Sequence, residues 1–288
     1  MSNFNENTRV QVPAALHLCK LGYEYLDEKD IMAYDHKTNI LTDVFLRSIR
    51  HINPDATGEE VSMLYSKIIN ISDNADLGRE FYALLSANSG VKLVDFENPD
   101  NNEWHVTTEF TCHNDETDDE FRPDITCFVN GMPLAFIEVK KPNNHEGILA
   151  ERDRINVRMS KKCFRSFFNI TQLMIFSNNQ EYDNTNRVPI QGAFYCCSSF
   201  SKAFFNVFRE EDKKFVARFP YLPLSSDIEN KVLRHRNCVV LRSLNEYQTN
   251  KQPTTPTNRI ITSMLSKERF LFLLRYGFAY VERKVELE

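Results

Sequence analysis

The sequence lacks the features that mark several classes of protein. No apolar run approaches the roughly 18 residues of a membrane-spanning helix, and the N-terminus has neither the basic nor the apolar region of a signal peptide. The seven cysteines include no Cys-x-x-Cys pair, which argues against a disulfide framework and a thiolate zinc site. None of the eight glycines precedes a lysine, so the chain has no P-loop and cannot be an ATP-driven motor by itself. These absences predict a cytoplasmic globular protein with no membrane segment.

What is present is a globular composition with uneven charge. The 288 residues, 42% hydrophobic and 26% charged, suffice for one large domain or two of ordinary size. The net charge of −5 gives no general sign of nucleic-acid binding. Residues 140–165, however, hold eight basic and three acidic side chains, which makes this stretch strongly positive. Residues 113–120 contain five acids and are predicted to form a solvated loop or, as an alternative, a loop that collects a metal ion.

The pattern of apolar residues changes along the chain. Residues 1–90 space their apolar side chains at helical intervals, and Thr57 with Glu60 has the spacing of a capping box. Residues 91–220 contain β-branched and aromatic segments typical of strands, with a helical stretch at 147–168 between them. The predicted strands are 91–96, 103–112, a hairpin within 122–142, 171–177 and 190–197.

Beyond residue 220 the pattern weakens. We predict a short strand at 237–244, a linker or extended arm at 245–258 and a helix at 261–281. The predicted organisation is therefore an N-terminal helical region, an α/β core and a C-terminal segment, with the ranges 1–90, 91–220 and 221–288.

The most informative stretch is the hairpin RPDITCFVNGMPLAFIEVKKP at residues 122–142. Its second strand is apolar but contains Glu138 and Lys140, and charges in a buried strand cost roughly several kcal/mol unless they are compensated. One explanation is structural: the two charges lie at a frayed strand end and pair with each other or with solvent. The other is a divalent cation shared by Asp124 and Glu138. Oxygen ligands without His or Cys suit Mg²⁺ or Mn²⁺.

The register of the hairpin tests the metal hypothesis. A regular ladder built from a two-residue turn at Asn130-Gly131 pairs Asp124 with Ile137, so that Asp124 and Glu138 face opposite sides. Both carboxylates reach one metal ion only after a one-residue shift. Because proline cannot donate a ladder hydrogen bond, we predict a bulge at Met132–Pro133 or a longer loop.

Pro123-Asp124, followed by Glu138-Val139-Lys140, resembles the PD-(D/E)XK nuclease signature. The surrounding stretches resemble the N-terminal nuclease domain of the restriction (motor) subunit of type I restriction-modification enzymes, over most of the chain from about residue 8. These stretches are FRPDITCFVNGMPLAFIEVKKP, SKKCFRSFFNITQLMIFSNNQEYD, VQVPAALHLCKLGYEYL and EWHVTTEFTC. The resemblance implies an α/β fold with a restriction-endonuclease-like core, in which helices flank a mixed central sheet.

The resemblance also implies roles for individual residues. Asp124 and Glu138, with the backbone carbonyl of Val139, would bind Mg²⁺, and Lys140 would be the catalytic lysine. Many relatives carry an upstream acid on an early helix, for which Glu80 is the candidate, although an ordinary helix-surface charge explains Glu80 equally well. The Gln-x-x-x-Tyr pair of some relatives is absent from the corresponding helix, ERDRINVRMSKKCFR.

Partners and cofactors follow from the resemblance as well. The intact subunit would use ATP to translocate double-stranded DNA through a motor that lies C-terminal to the nuclease. It would assemble with methylation and specificity subunits in a bacterial or archaeal cytoplasm. The chain would then be an expressed fragment, with residues 221–288 leading toward the motor.

The basic stretch after the hairpin is predicted to contact DNA. Its arginines and lysines from 154 to 165 fall on one stripe of the predicted helix. A charged stripe is usually a solvated face, but its place directly after the metal ligands favours a surface that contacts phosphates without reading sequence. The predicted contacts are Lys141, Arg152, Arg154, Arg158, Lys161, Lys162 and Arg165.

Two other functions remain open. A nuclease-like fold could serve only as a DNA-binding or assembly module, although such a module does not need Asp124, Glu138 and Lys140 together. A carboxylate-pair hydrolase acting on sugars is the third possibility, but the lysine and the basic stretch favour phosphate chemistry.

Overall fold

A seven-stranded mixed sheet forms the centre of the fold. The computed structural model describes residues 7–113, 117, 119–141, 147–182, 185, 190–199, 202–209 and 213–281. In chain order the strands are β1 (Glu24–Tyr25), β2 (Trp104–Thr108), β3 (Ile125–Val129), β4 (Met132–Val139), β5 (Leu173–Ser177), β6 (Ala193–Cys196), β7 (Ser198–Ser199), β8 (Lys202–Ala203) and β9 (Asn206–Val207). The sheet order is β1-β2-β3-β4-β5-β6-β9, and β7 pairs with β8 separately. The pairs β1–β2 and β4–β5 are parallel, and the others are antiparallel.

Helices flank this sheet. They are α1 (Val12–Lys20), α2 (Thr42–Ile52), α3 (Gly58–Ser72), α4 (Arg79–Leu85), α5 (Gly147–Met159), α6 (Arg165–Ile170), α7 (Lys213–Arg218), α8 (Ser226–His235), α9 (Asn245–Asn250), α10 (Pro256–Leu265) and α11 (Lys267–Phe272). The predicted α/β class, a mixed sheet flanked by helices, is confirmed, and so is the capping box at Thr57 and Glu60. None of the helices in the described residues is long and apolar enough to cross a bilayer.

The central strand β4 is covered on both faces. Its residues Ala135, Ile137 and Val139 pack into a core that includes α1, α8 and α10, whereas Phe136 packs into a second core with α5 and α6. All eight residues of β4 are buried, as expected for a strand between two layers of helices. Two-sided burial therefore explains the apolar run in which Glu138 lies.

The β3–β4 hairpin has the predicted turn. Asn130 and Gly131 have φ values of 50° and 78°, which a type I′ turn requires. A Cβ atom at Gly131 would lie 2.6 Å from the carbonyl oxygen of Leu41 and 2.8 Å from the backbone nitrogen of Phe45. Glycine is therefore needed both for the turn and for the close approach of the start of α2.

The predicted shift in register is also confirmed. Phe128 pairs with Pro133, but the preceding residue Cys127 pairs with Ala135, so Leu134 is an extra residue on β4. The bulge lies one residue beyond the predicted Met132–Pro133. Its effect is that the ladder continues from Ile125 opposite Ile137 toward Asp124 opposite Glu138.

Two predicted strands were wrong. Residues 237–244 contain a 3-10 turn, Val239–Ser243, instead of a strand. Residues 91–96 form no strand because asparagine side chains satisfy their backbone: Asn53 accepts from the Lys92 N–H, and Asn130 donates to the Leu93 carbonyl. Residues 114–116 and 118 of the acidic stretch lie outside the described residues, so the loop or metal-collecting loop predicted there stays a prediction.

The predicted extended arm at 245–258 was wrong as well. These residues form α9 and the first turn of α10, where Pro256 is tolerated because that position needs no intrahelical donor. Tyr247, Ile260 and Ile261 are buried in the same core as α1. The predicted terminal helix is divided at Ser266, whose backbone is extended. The domain boundaries themselves stay a prediction.

Candidate metal and nuclease site

Asp124 and Glu138 come together where β3 begins and β4 ends. The Oδ2 atom of Asp124 accepts a hydrogen bond of 2.8 Å from the backbone N–H of Val139, the residue that follows Glu138, and the Asp124 carboxylate is close enough to Glu138 to raise the pKa of its carboxyl. The main-chain carbonyl of Asp124 accepts bonds from Gln11 Nε2 at 2.7 Å and from the Glu109 N–H at 3.1 Å. The backbone of Asp124 is thus fixed from two directions, and its carboxylate lies beside that of Glu138.

Glu138 is a buried acid with an unsatisfied oxygen. The residue is 4% exposed, and its Oε1 atom has no hydrogen-bond partner in the described part of the chain. Burial raises the pKa of Glu138 well above its usual value, and the neighbouring charges of Asp124 and Glu151 raise that pKa further, while Lys140 opposes the shift. Such an acid is costly to ionise unless a cation joins it.

The residues present fit a divalent cation of the Mg²⁺ type. Two adjacent carboxylates and an orphaned Glu138 oxygen form an oxygen-rich, negatively charged pair of ligands. In the described residues, no three His, Cys, Asp or Glu side chains gather into one metal-binding group. Mg²⁺ suits such a sparse set, because it commonly takes one or two protein carboxylates and fills its other positions with water and substrate phosphate.

Lys140 extends the candidate site along the same face of β4 as Glu138. The residue is 8% exposed, and its backbone N–H donates a 2.8 Å bond to the carbonyl of Ser177 on β5. The ammonium Nζ lies 3.2 Å from Oε2 of Glu151 on α5. The sheet therefore fixes the backbone of Lys140, and an acid from the covering helix approaches its charge.

Glu151 is the site residue that the sequence interpretation missed. It is 3% exposed and contacts Lys140, Arg154 and Arg158, with N···O distances of 3.2, 2.9 and 3.6 Å. In the sequence it was only one of three acids in a basic stretch. The available signal was its position on the buried stripe of α5, which it shares with Ile148 and Ile155.

The basic residues do not form the single helical stripe that was predicted. Helix α5 ends at Met159, and Lys161 has an extended backbone. The chain turns here because Phe164, Phe167 and Phe168 pack into the core around Phe136. Lys161 pairs with Asp119, Arg165 with Asp73 and Arg152 with Asp153. Arg154 and Arg158 contact Glu151. The contacts of all these residues with DNA, like those of Lys141 and Lys162, stay predictions.

The contacts of the Glu80 side chain are with residues other than those around Glu138. It lies at the exposed start of α4, and its carboxylate accepts a 2.8 Å hydrogen bond from Asn74. The main electrostatic influences on Glu138 are Asp124, Glu151 and Lys140. Glu80 therefore stays a prediction without support from the geometry.

Comparison with known proteins identifies the family. The family model described as "Type I restriction enzyme R protein N terminus" matches residues 3–187, a range that contains the hairpin and α5. The "Putative type I restriction enzyme MjaIXP endonuclease subunit" of Methanocaldococcus jannaschii is 29% identical over 203 residues, covering 62% of this chain and 19% of that protein. The chain thus spans about a fifth of the length of this relative. It belongs to the family of type I restriction enzyme R protein N termini.

Proposed function

We propose that the chain is the Mg²⁺-dependent DNA endonuclease domain of a type I restriction enzyme R subunit. The observation that carries the proposal is the one-residue bulge at Leu134, which brings Asp124 and Glu138 together and leaves Lys140 on the same face. The family and the endonuclease subunit in the relative's name support a nuclease.

Asp124, Glu138 and the carbonyl of Val139 would hold the cation, Mg²⁺ or alternatively Mn²⁺. A bound divalent cation supplies Lewis-acid activation of the phosphodiester and of water. The chain's own contribution is positional: the Val139 N–H orients the Asp124 carboxylate, and burial between two helical layers excludes bulk water around Glu138. The Lys140 ammonium would offset the negative charge that develops on the phosphate during hydrolysis.

Double-stranded DNA is the proposed substrate. The proposed contacts with its backbone phosphates give binding that is independent of sequence and sensitive to salt. They are Lys141, Arg152, Arg154, Arg158, Lys161, Lys162 and Arg165. The choice of cleavage site would then come from the whole enzyme. That enzyme would translocate DNA with ATP through a region outside this chain, would include methylation and specificity subunits, and would work in the cytoplasm.

The test uses the complete R subunit assembled with its methylation and specificity subunits. Cleavage and ATP-driven translocation are measured for the wild type, for Glu138→Ala and for Lys140→Ala. We expect both variants to lose cleavage and to keep translocation. The control Glu103→Ala removes an acid that pairs with Arg47, a partner outside the site, and should leave both activities intact. Undiminished cleavage in the two site variants would refute the proposal in favour of a DNA-binding or assembly module.

A further inference from the structure

We propose that Glu151 is a positioning residue of the nuclease site, which acts through Lys140. It would hold the Lys140 ammonium at the place where Asp124 and Glu138 meet, while Arg154 and Arg158 hold Glu151 itself. This inference rests on the proposed nuclease function and assigns a role to a residue outside the Asp-Glu-Lys motif.

The location of Glu151 is the first argument. Helix α5 buries Ile148, Glu151, Ile155 and Met159, which recur at helical spacing along one face. An apolar side chain would pack at position 151 without any need for a partner, whereas a buried carboxylate is costly unless cations surround it. A charged residue on the apolar stripe of a helix therefore indicates a role for the charge itself.

The contacts of Glu151 are the second argument. Its Oε2 atom is shared between Lys140 Nζ at 3.2 Å and Arg154 Nη1 at 2.9 Å, and its Oε1 atom faces Arg158 Nη1 at 3.6 Å. The guanidinium of Arg158 also lies over the ring of Phe121, 4.6 Å from the ring centroid, a favourable cation–π position. The Glu151 carboxylate is thus held from several sides, unlike a mobile surface acid.

The state of Glu138 is the third argument. A lysine two residues from a buried acid could fold onto that acid and neutralise it, because the lysine side chain is long and flexible. Yet Glu138 Oε1 has no partner in the described residues, while the Lys140 ammonium lies beside Glu151. Glu151 thus holds the Lys140 ammonium on the side of α5, and Glu138 Oε1, which has no partner in the described residues, stays available to a cation.

The test compares Glu151→Gln with a matched control in the assembled enzyme. Glutamine keeps the shape of the side chain and removes the charge that orients Lys140. The control, Glu229→Gln, alters another helical acid that contacts a lysine and an arginine, Lys251 and Arg242, away from the site. Three quantities are measured: the single-turnover rate constant of DNA cleavage, the DNA dissociation constant and the rate of translocation.

We expect Glu151→Gln to lower the cleavage rate constant by about 10- to 100-fold, as for other residues that orient a reacting group. DNA affinity and translocation should stay within about threefold of the wild type. A purely structural role would instead lower all three quantities together. Glu229→Gln should change none of them. An unchanged cleavage rate in Glu151→Gln, or an equal loss in Glu229→Gln, would overturn the inference.

Two further variants keep the outcome decisive. If Glu151→Gln does not fold, Glu151→Asp retains the charge but withdraws it from Lys140 by one methylene; a wild-type cleavage rate in that variant would also refute the positioning role. Lys140→Ala separates the two proposals. Full cleavage without Lys140 contradicts the nuclease assignment, whereas loss of cleavage in Lys140→Ala with none in Glu151→Gln contradicts only the role of Glu151.

Discussion

Substitution of Glu138 by glutamine should stabilise the metal-free chain while it removes the response to Mg²⁺. Glu138 is buried, lies beside Asp124 and has an oxygen without a partner. At a pH above the raised pKa of Glu138, where its carboxyl is ionised, the amide of Glu138→Gln can donate a hydrogen bond to the Asp124 carboxylate, and one of two adjacent like charges disappears. A hydrogen bond to a charged group contributes about 1.5–3 kcal/mol. We therefore expect a gain of about that size in the free energy of unfolding in the presence of EDTA.

Excess Mg²⁺ should offset this difference in the free energy of unfolding between Glu138→Gln and the wild type. A ligand at 100 times its dissociation constant stabilises the folded state by about 2.7 kcal/mol, and only the wild type keeps both carboxylates that would bind it. Urea denaturation of the two chains, in EDTA and in excess MgCl₂, measures all four free energies. The wild type should gain the full Mg²⁺ increment and Glu138→Gln little of it.

The same measurement can refute the reasoning. A Glu138→Gln chain that is less stable than the wild type in EDTA would mean that the Glu138 charge is already compensated within the chain. A full Mg²⁺ increment in the variant would mean that the cation binds elsewhere. As a control, Glu229→Gln should be destabilised in both conditions, because Glu229 has close partners in Lys251 and Tyr247.

Three other outcomes are expected. Burial lowers the pKa of His17 to about 3, so between pH 6.5 and 3 the His17 imidazole takes up a proton only in the unfolded chain. The free energy of unfolding should therefore decrease as the pH falls below 6.5, by about 2 kcal/mol at pH 5. Urea titrations of His17→Gln should lack this part of the pH dependence. Gly131→Ala should lower the free energy of unfolding by about 2 kcal/mol or more. The φ of residue 131 is 78°, and the new Cβ would lie 2.6 Å from the Leu41 carbonyl oxygen. A loss of less than about 0.5 kcal/mol, measured by thermal unfolding, would contradict this prediction. Lys162→Ala in the assembled enzyme should weaken DNA binding equally for all sequences and reduce the slope of log Kd against log salt by about 0.9, whereas an unchanged slope would exclude this lysine as a phosphate contact.

Local signals in the sequence were the reliable ones. The Asn130-Gly131 turn and the capping box at Thr57 depend on backbone preferences of a few neighbouring residues, and both are confirmed. The need for a register shift also followed from the sequence, since alternation alone placed Asp124 and Glu138 on opposite faces. What the sequence did not contain was the position of the bulge, which depends on strands that are distant in the chain.

Tertiary contacts decided the elements that were predicted wrongly. Residues 91–96 look like a strand, yet hydrogen bonds from Asn53 and Asn130 hold their backbone outside the sheet. Residues 245–258 look like a linker because they are polar and contain prolines, but Tyr247 anchors α9 in the core and Pro256 begins α10. Glu151 was missed for a similar reason: only the packing of α5 against β4 reveals which of the acids in the basic stretch is buried.

The location of the bulge follows from two constraints that act on β4 from opposite ends. At the turn, Asn130 bonds to Glu103, Leu93 and Asn102, which ties the first pairs of the hairpin to the rest of the fold. From Ala135 onward, β4 is held in parallel register by β5. Leu134 lies between these two constraints, so it is the position at which one extra residue can be absorbed.

Facing residues on neighbouring antiparallel strands have Cβ atoms about 4.5–5.5 Å apart, and Mg²⁺ binds oxygen at about 2.1 Å. If the ladder continues from Ile125 opposite Ile137 to Asp124 opposite Glu138, the two carboxylates would need no further change of the backbone to bind the proposed cation.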